Sequence, residues 1–317
     1  MKRLCLVAAV WLCSAAAAFS QNWGVVNISV CNMRRTADFD AEMVSQALLG
    51  TPVQVLGISD GSNKWPEVVT PDDYNGWVHY AAITLLDEAG FKAWNAAPKV
   101  VVTALTGVVH AKASEGSATV SDVVAGDRLK YLGVRGAWFR VGFPDGREGF
   151  LRRKLAQRED VWRKRISLAP EAVLKTARSM MGFPYIWAGM SPKGMDCSGF
   201  VRAVLCMHDV IIPRDASEQA LVGERIHGVD ALEPGDLVFF GRWKENGQPR
   251  VSHVGFYLGK GRFIHCMGLV QEGSFFPEDP LYDAFNTGRY LFGGRILPYV
   301  DKDPLITTTL SNPFYAE

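Results

Sequence analysis

Gly194-Met195-Asp196-Cys197-Ser198-Gly199-Phe200-Val201 is the stretch on which the reading of this chain turns. Asp196 has the side chain of a helix N-cap, so the spacing predicts a helix that opens at Cys197 and runs to about His208. A thiol in the first turn feels the positive end of the helix dipole, which favours the thiolate, the form that attacks carbonyl carbon. By position alone the residue reads as a nucleophile or as a buried structural cysteine.

The segments downstream supply possible partners. In Val251-Ser252-His253-Val254-Gly255-Phe256-Tyr257-Leu258 the alternation places His253, Gly255 and Tyr257 on one face of a strand. His265 follows on Arg262-Phe263-Ile264-His265-Cys266, and Gly259-Lys260-Gly261 between the two runs is a tight hairpin signal. The imidazoles are then cross-strand or diagonal neighbours. One ring can hold the tautomer and orientation of the other, as a carboxylate does in other triads. Two histidines on adjacent strands, with Cys197 or Cys266 as a third ligand, are also a metal-site pattern, which the local sequence leaves open while favouring the peptidase.

Around these runs the pattern is helices first and short strands afterwards. Pro170 opens an amphipathic helix over Glu171–Met181, which Gly182 and Pro184 stop. Asp236–Phe240, His253–Leu258, Arg262–Cys266 and Gly293–Leu297 read as strands. That order predicts an α+β domain. Upstream, strand-like runs at Gly24–Val30, Thr51–Ile58, Glu67–Thr70 and Gly76–Tyr80 are broken by Asp60-Gly61-Ser62-Asn63 and Pro71-Asp72-Asp73-Tyr74-Asn75-Gly76. The texture recurs at Val100–Leu105, Arg128–Val134, Trp138–Gly142 and Glu148–Leu151, with a Pro144-Asp145-Gly146 turn. Gly-Trp-Val in the first region and Gly-Phe-Leu in the second make a weak internal repeat, which predicts two small β-barrels. The expected organisation is a leader over 1–20, barrels over 21–95 and 96–157, a charged linker over Arg158–Ser167, a catalytic domain over 168–300 and a tail over 301–317.

The chain has 317 residues, 48% hydrophobic and 21% charged, with a formal charge of +1. This is ordinary globular composition, and no whole-chain charge favours nucleic acid or an acidic membrane. Lys2 and Arg3 precede an apolar run over Leu4–Ala18 and then Phe19-Ser20-Gln21, the pattern of a cleaved signal peptide. The run falls short of the roughly 20 residues that span a bilayer. The expectation is an exported, periplasmic or envelope-associated protein beginning near Gln21, with no membrane segment in its mature form. Four cysteines then remain, Cys31, Cys197, Cys206 and Cys266, without the spacing of a disulfide scaffold. Cys206 reads as a buried small hydrophobe.

Gly194-Met195-Asp196-Cys197-Ser198-Gly199-Phe200, Ser252-His253-Val254-Gly255 and Phe263-Ile264-His265, in that order, resemble the NlpC family of papain-like cysteine peptidases. Pro234-Gly235-Asp236-Leu237-Val238-Phe239-Phe240 between them matches as well, and the likeness covers roughly Pro170 to Pro298. It decides between peptidase and metal site in favour of the peptidase, with no metal or cofactor. The resemblance implies Cys197 as nucleophile, His253 as base and His265 as its orienter. Tyr185, in Phe183-Pro184-Tyr185-Ile186-Trp187, would assist the Cys197 backbone N–H at the oxyanion, while Trp187 shapes a wall.

The amino-terminal regions look like the SH3-like domains of a subset resembling dipeptidyl-peptidase VI. Members of that subset cut the γ-D-glutamyl–diamino-acid bond of murein peptides that carry a free amino-terminal L-Ala. The likeness implies Glu42, Tyr74 and Asp215 around the substrate amine, and Ser198 at the D-Glu α-carboxylate. Ala216 stands where the subset can have a serine, with Ser217 one position later, so the role of Ser217 as a substrate contact is in question.

Overall fold

The structure, a computed structural model, describes residues 22–316. The expected leader over 1–20, with Cys5 and Cys13, lies outside the described residues. Strands from Trp23–Val26 to Ile83–Leu86 form a seven-stranded antiparallel sheet in the order third, second, sixth, fifth, fourth, first, seventh. Alternation drives it: in Val30–Arg34, Cys31 and Met33 are buried and Asn32 between them is exposed. The turn around Asp60-Gly61 joins the strands Pro52–Ile58 and Pro66–Val69, and the turn at Pro71 leads into Asn75–Trp77.

A second seven-stranded sheet, from Lys99–Val102 to Ala156–Arg158, repeats that strand order position for position. The sequence repeat falls on the sixth strand of each. Gly76 packs against Met33, and a Cβ on Gly149 would lie 2.5 Å from Val109, so both glycines admit a side chain of the second strand. The helix α1 (Glu88–Ala96) links the sheets and was not expected from the sequence. Asp87 caps it through the Gly90 N–H at 2.7 Å, and Phe91 stacks on Trp23 with ring centroids 3.9 Å apart.

The segment over Arg158–Ser167, read as a linker, is instead bound into the body of the protein. It contains α2 (Glu159–Arg163), whose Trp162 is buried. Arg128 of the second sheet bonds Glu159 at 3.0 Å and Asp209 at 3.1 Å, and Arg163 reaches Asp209 at 3.3 Å. Arg128 and Asp209 are nearly inaccessible to water, so each charge depends on the others for compensation. The segment over 301–317, read as a tail, is a packed strap. Thr307 exchanges backbone bonds with Ile211, Thr309 donates to Asp209, Asn312 donates to Pro71 O at 2.8 Å, and Asn95 donates to Phe314 O at 3.0 Å.

Between the second sheet and the strap, α3 (Pro170–Ser179) and α4 (Cys197–Cys206) pack on a six-stranded antiparallel sheet. Its order is Glu224–Ile226, Tyr290–Arg295, Leu237–Trp243, Pro249–Gly259, Arg262–Met267, Leu269–Ser274. Short helices α5 (Ala216–Gln219) and α6 (Ala284–Thr287) lie in the connections. Phe200, Val201 and Val204 on α4 meet Phe239, Val254, Phe256 and Ile264 on the sheet in one core. The described cysteines are all free; Cys206 is only half-buried, with its sulfur against Gly126 of the second sheet.

The two sheets meet where Gly50 approaches Arg128. Arg128 N donates to Leu49 O at 2.9 Å, Gly50 has φ +84°, and a Cβ there would lie 2.1 Å from Arg128 O. The position combines a left-handed backbone with no room for a methyl group. Gly50→Ala is therefore expected to cost about 2–4 kcal/mol, read as a lower midpoint in chemical denaturation.

Candidate active site

Asp196 accepts the Gly199 N–H at 2.7 Å and so starts α4 at Cys197, as the sequence predicts. The same carboxylate accepts the Ala188 N–H at 3.0 Å, the Ser198 hydroxyl at 3.2 Å, and both Arg214 terminal nitrogens, at 2.6 and 3.2 Å. Arg214 is 1% exposed. Its role in fixing the nucleophile's turn was not read from the sequence, where it appears only as the residue before Asp215.

The Cys197 sulfur accepts from the backbone N–H groups of Val254 and Ser198, which seats it against the strand that carries His253. Burial nevertheless pushes the thiol up to about 12, with the Asp196 charge adding to the effect. The helix-start effect expected to favour the thiolate is outweighed. The resting sulfur keeps its proton, and attack needs a base.

His253 and His265 are diagonal neighbours, because Gly255 lies directly opposite His265 in the register. A Cβ on Gly255 would stand 2.9 Å from the His265 Cβ, so the glycine makes room for that side chain. The two-residue turn Lys260-Gly261, with φ +53° and +76°, sets the pairing. His253 Nε2 lies 2.7 Å from His265 Nδ1. Burial lowers both imidazoles, His253 to about 3 and His265 to about 4, so both are neutral. His265 Nε2 points on toward Asp283 Oδ2 at 3.8 Å, a neighbour not read from the sequence.

A cavity of about 220 Å³ opens over Cys197. Its lining includes Tyr185, Trp187, Ser198, Asp215, Ala216 and Ser217 from the catalytic domain, and Glu42 and Tyr74 from the first sheet. Val251 and Ser252, which precede His253 on its strand, also line the cavity, whereas the two histidines do not. The Tyr185 phenol is pushed up to about 12, chiefly by burial, so it remains a hydrogen-bond donor. Trp187 does more than shape a wall: its indole N–H donates to Glu42 Oε1 at 3.1 Å across the junction.

Two of the expected substrate contacts are engaged elsewhere. The Ser198 hydroxyl donates to Asp196 and accepts from Arg214 at 2.8 Å, so its proton is not directed into the cavity. Glu42 is paired with Arg35 at 2.7 Å, and that cation holds the carboxyl below its usual range. Arg35 also lines the cavity and was not singled out in the sequence, since nothing in Met33-Arg34-Arg35-Thr36 marks it. Asp215, by contrast, is raised above its usual value by burial against only partial relief from Arg214. It is the less compensated of the two carboxylates. Among the described residues no group of three histidine, cysteine or acidic side chains is arranged to hold a metal ion.

Residues 182–275 match the NlpC/P60 family, and residues 33–83 match the bacterial dipeptidyl-peptidase Sh3 domain. The gamma-D-glutamyl-L-lysine dipeptidyl-peptidase of Bacillus cereus is 32% identical over 236 residues, 71% of this chain and 67% of that protein. Dipeptidyl-peptidase 6 of Lysinibacillus sphaericus is 28% identical over 273 residues, 81% of this chain and 93% of that protein. The crystal structure of an NlpC/P60 family protein from Bacillus cereus is similar with a TM-score of 0.71 at 25% identity. That similarity covers 87% of this chain and 100% of the other. The fold and site define a cysteine peptidase. The chain belongs to the NlpC/P60 family, with an SH3-like domain ahead of its α+β catalytic domain.

Two outcomes are expected from the site's electrostatics. Arg214→Met leaves Asp196 buried without its countercharge and should cost about 3–5 kcal/mol in urea unfolding, together with loss of Cys197 reactivity. The histidines give the acid dependence. Their folded values lie below the ordinary 6.5, so the unfolded chain takes up protons first as the pH falls. Stability is then whole above about pH 6.5 and is lost toward pH 4, by up to about 1.4 kcal/mol per pH unit for each histidine. Urea titrations across that range check it, with a shallower slope expected in His265→Gln.

Proposed function

We propose that this protein hydrolyses the γ-D-glutamyl–diamino-acid bond of murein peptides whose amino-terminal L-Ala is free, and that it does so as an exported enzyme of the cell envelope. The observation that carries the reading is the shared cavity. Glu42 and Tyr74 from the first sheet, and Asp215 from the catalytic domain, line the same 220 Å³ space as Cys197. The name of the Bacillus cereus relative supports this bond, and the name of the Lysinibacillus sphaericus relative supports release of a dipeptide.

His253 takes the thiol proton as the Cys197 sulfur adds to the carbonyl carbon, and the oxyanion is met by the Cys197 backbone N–H and the Tyr185 hydroxyl. Collapse breaks the amide bond, and His253 returns its proton to the leaving amine of the diamino acid. Water then hydrolyses the thioester and frees the L-Ala-γ-D-Glu dipeptide. The substrate ammonium is drawn to Asp215 beside Tyr74, whose phenol is raised by burial and by the Asp215 charge. A blocked amine would leave that carboxylate desolvated without a partner.

Because Arg35 already neutralises Glu42, the amine preference rests mainly on Asp215. Peptides L-Ala-γ-D-Glu-diaminopimelate and L-Ala-γ-D-Glu-L-Lys, free and N-acetylated, test the reading. Acetylation is expected to lower kcat/KM roughly 10²- to 10⁴-fold. Asp215→Asn should erase most of that discrimination, Glu42→Gln less of it, and Cys197→Ala should abolish turnover. Equal cleavage of free and acetylated peptides would shift the substrate to intact wall, with the amino-terminal domains as binding modules.

A further inference from the structure

We infer that Asp283 is the positioning residue that fixes the tautomer of the histidine pair, and through it the nitrogen that His253 offers to the thiol. The inference rests on the assignment of His253 as base and His265 as its orienter. The contact between His253 Nε2 and His265 Nδ1, at 2.7 Å, holds one proton between two neutral rings. It forms equally well in either direction. If His253 donates, its Nδ1 is bare and can accept the thiol proton. If His265 donates, the His253 proton sits on Nδ1, and that ring has no lone pair left for the thiol.

The pair itself cannot choose between these states, so the choice falls to the outer nitrogen of His265. That atom is 3.8 Å from Asp283 Oδ2. A carboxylate at this range attracts an N–H and repels a bare lone pair. With its proton on Nε2, His265 must present a bare Nδ1, and the shared proton belongs to His253 Nε2. This is the competent state. Asp283 is also the acid that acts on both rings, whereas Arg289 opposes it at His253.

The carboxylate is held firmly enough for the task. Asp283 accepts the Asn286 backbone N–H at 3.0 Å and the Asn286 side-chain amide at 2.6 Å, and its own N–H donates to Ser274 O at 2.9 Å. Asn286 is fully buried. These bonds also make Asp283 the cap of α6, which is the plain structural account of the residue.

The two accounts predict opposite orders for two substitutions. Asparagine caps a helix as well as aspartate, and alanine does not. A capping role alone therefore leaves Asp283→Asn near wild type and makes Asp283→Ala the more damaged. The tautomer role reverses the order. The carboxamide keeps the cap, but it loses the charge and can donate to a bare Nε2, which stabilises the incompetent state. Two readouts on the full chain need no peptide, so they stand apart from the substrate assignment. They are ¹⁵N NMR of the imidazoles and the rate at which iodoacetamide alkylates Cys197 near neutral pH. In wild type the His265 Nε2 should be protonated. In Asp283→Asn that proton should move to Nδ1 and alkylation should slow about 10- to 100-fold, with thermal unfolding little changed. Wild-type alkylation and an unmoved His265 proton in Asp283→Asn would overturn the inference.

Discussion

The buried ion pair between Asp196 and Arg214 is the constraint on which the catalytic geometry depends. One carboxylate gathers the start of α4, the turn at Ala188 and the segment before α5. Those three segments carry Cys197, Trp187 and Asp215. Cys197, Trp187 and Asp215 are therefore placed by a single set of charge-assisted bonds. Apolar residues of similar volume could fill the space, but they would not fix its directions. The pair is better understood as a device for orientation than as a source of stability.

From that centre the geometry extends outward along α4. Arg202, further along the helix that begins at Cys197, bonds Asp72 at 3.0 Å in a nearly dry contact. Asp72 belongs to the turn that leads to Tyr74. The helix that presents the nucleophile thus also holds the first sheet in register. Gln46 adds a second tie by accepting the Met190 N–H at 2.9 Å. The cavity is composite, yet its two sides are referred to one rigid element.

Much of the catalytic centre was legible in the sequence because its signals are local. A capping aspartate before Cys197, period-two alternation around His253, and Lys260-Gly261 flanked by glycine and strand residues each constrain only a few neighbouring positions. The residues that escaped reading act over long separations. Arg214 reaches back to Asp196 past the whole of α4, and Asp283 reaches His265 only after the next strand and the connection beyond it have folded back. Arg35 lies far upstream of the nucleophile, and nothing in its surroundings marks it as a cavity residue. The segments over Arg158–Ser167 and 301–317 were misread for a related reason. Their polar composition resembles a linker and a tail, but their charges are spent on partners elsewhere in the chain.

The strap formed by the last described residues touches the first sheet at Pro71, α1 at Asn95 and the catalytic domain at Ile211. In synthesis from the amino terminus, both sheets and the whole catalytic domain emerge before this segment does. The peptidase core can therefore form, with the first sheet already tied to it through Asp72 and Gln46, before the strap adds its contacts. The strap is made after both sides of the cavity, and it adds a tie between them that neither side has alone. In that sense the strap's contacts are added to a composite cavity that an earlier portion of the chain already contains.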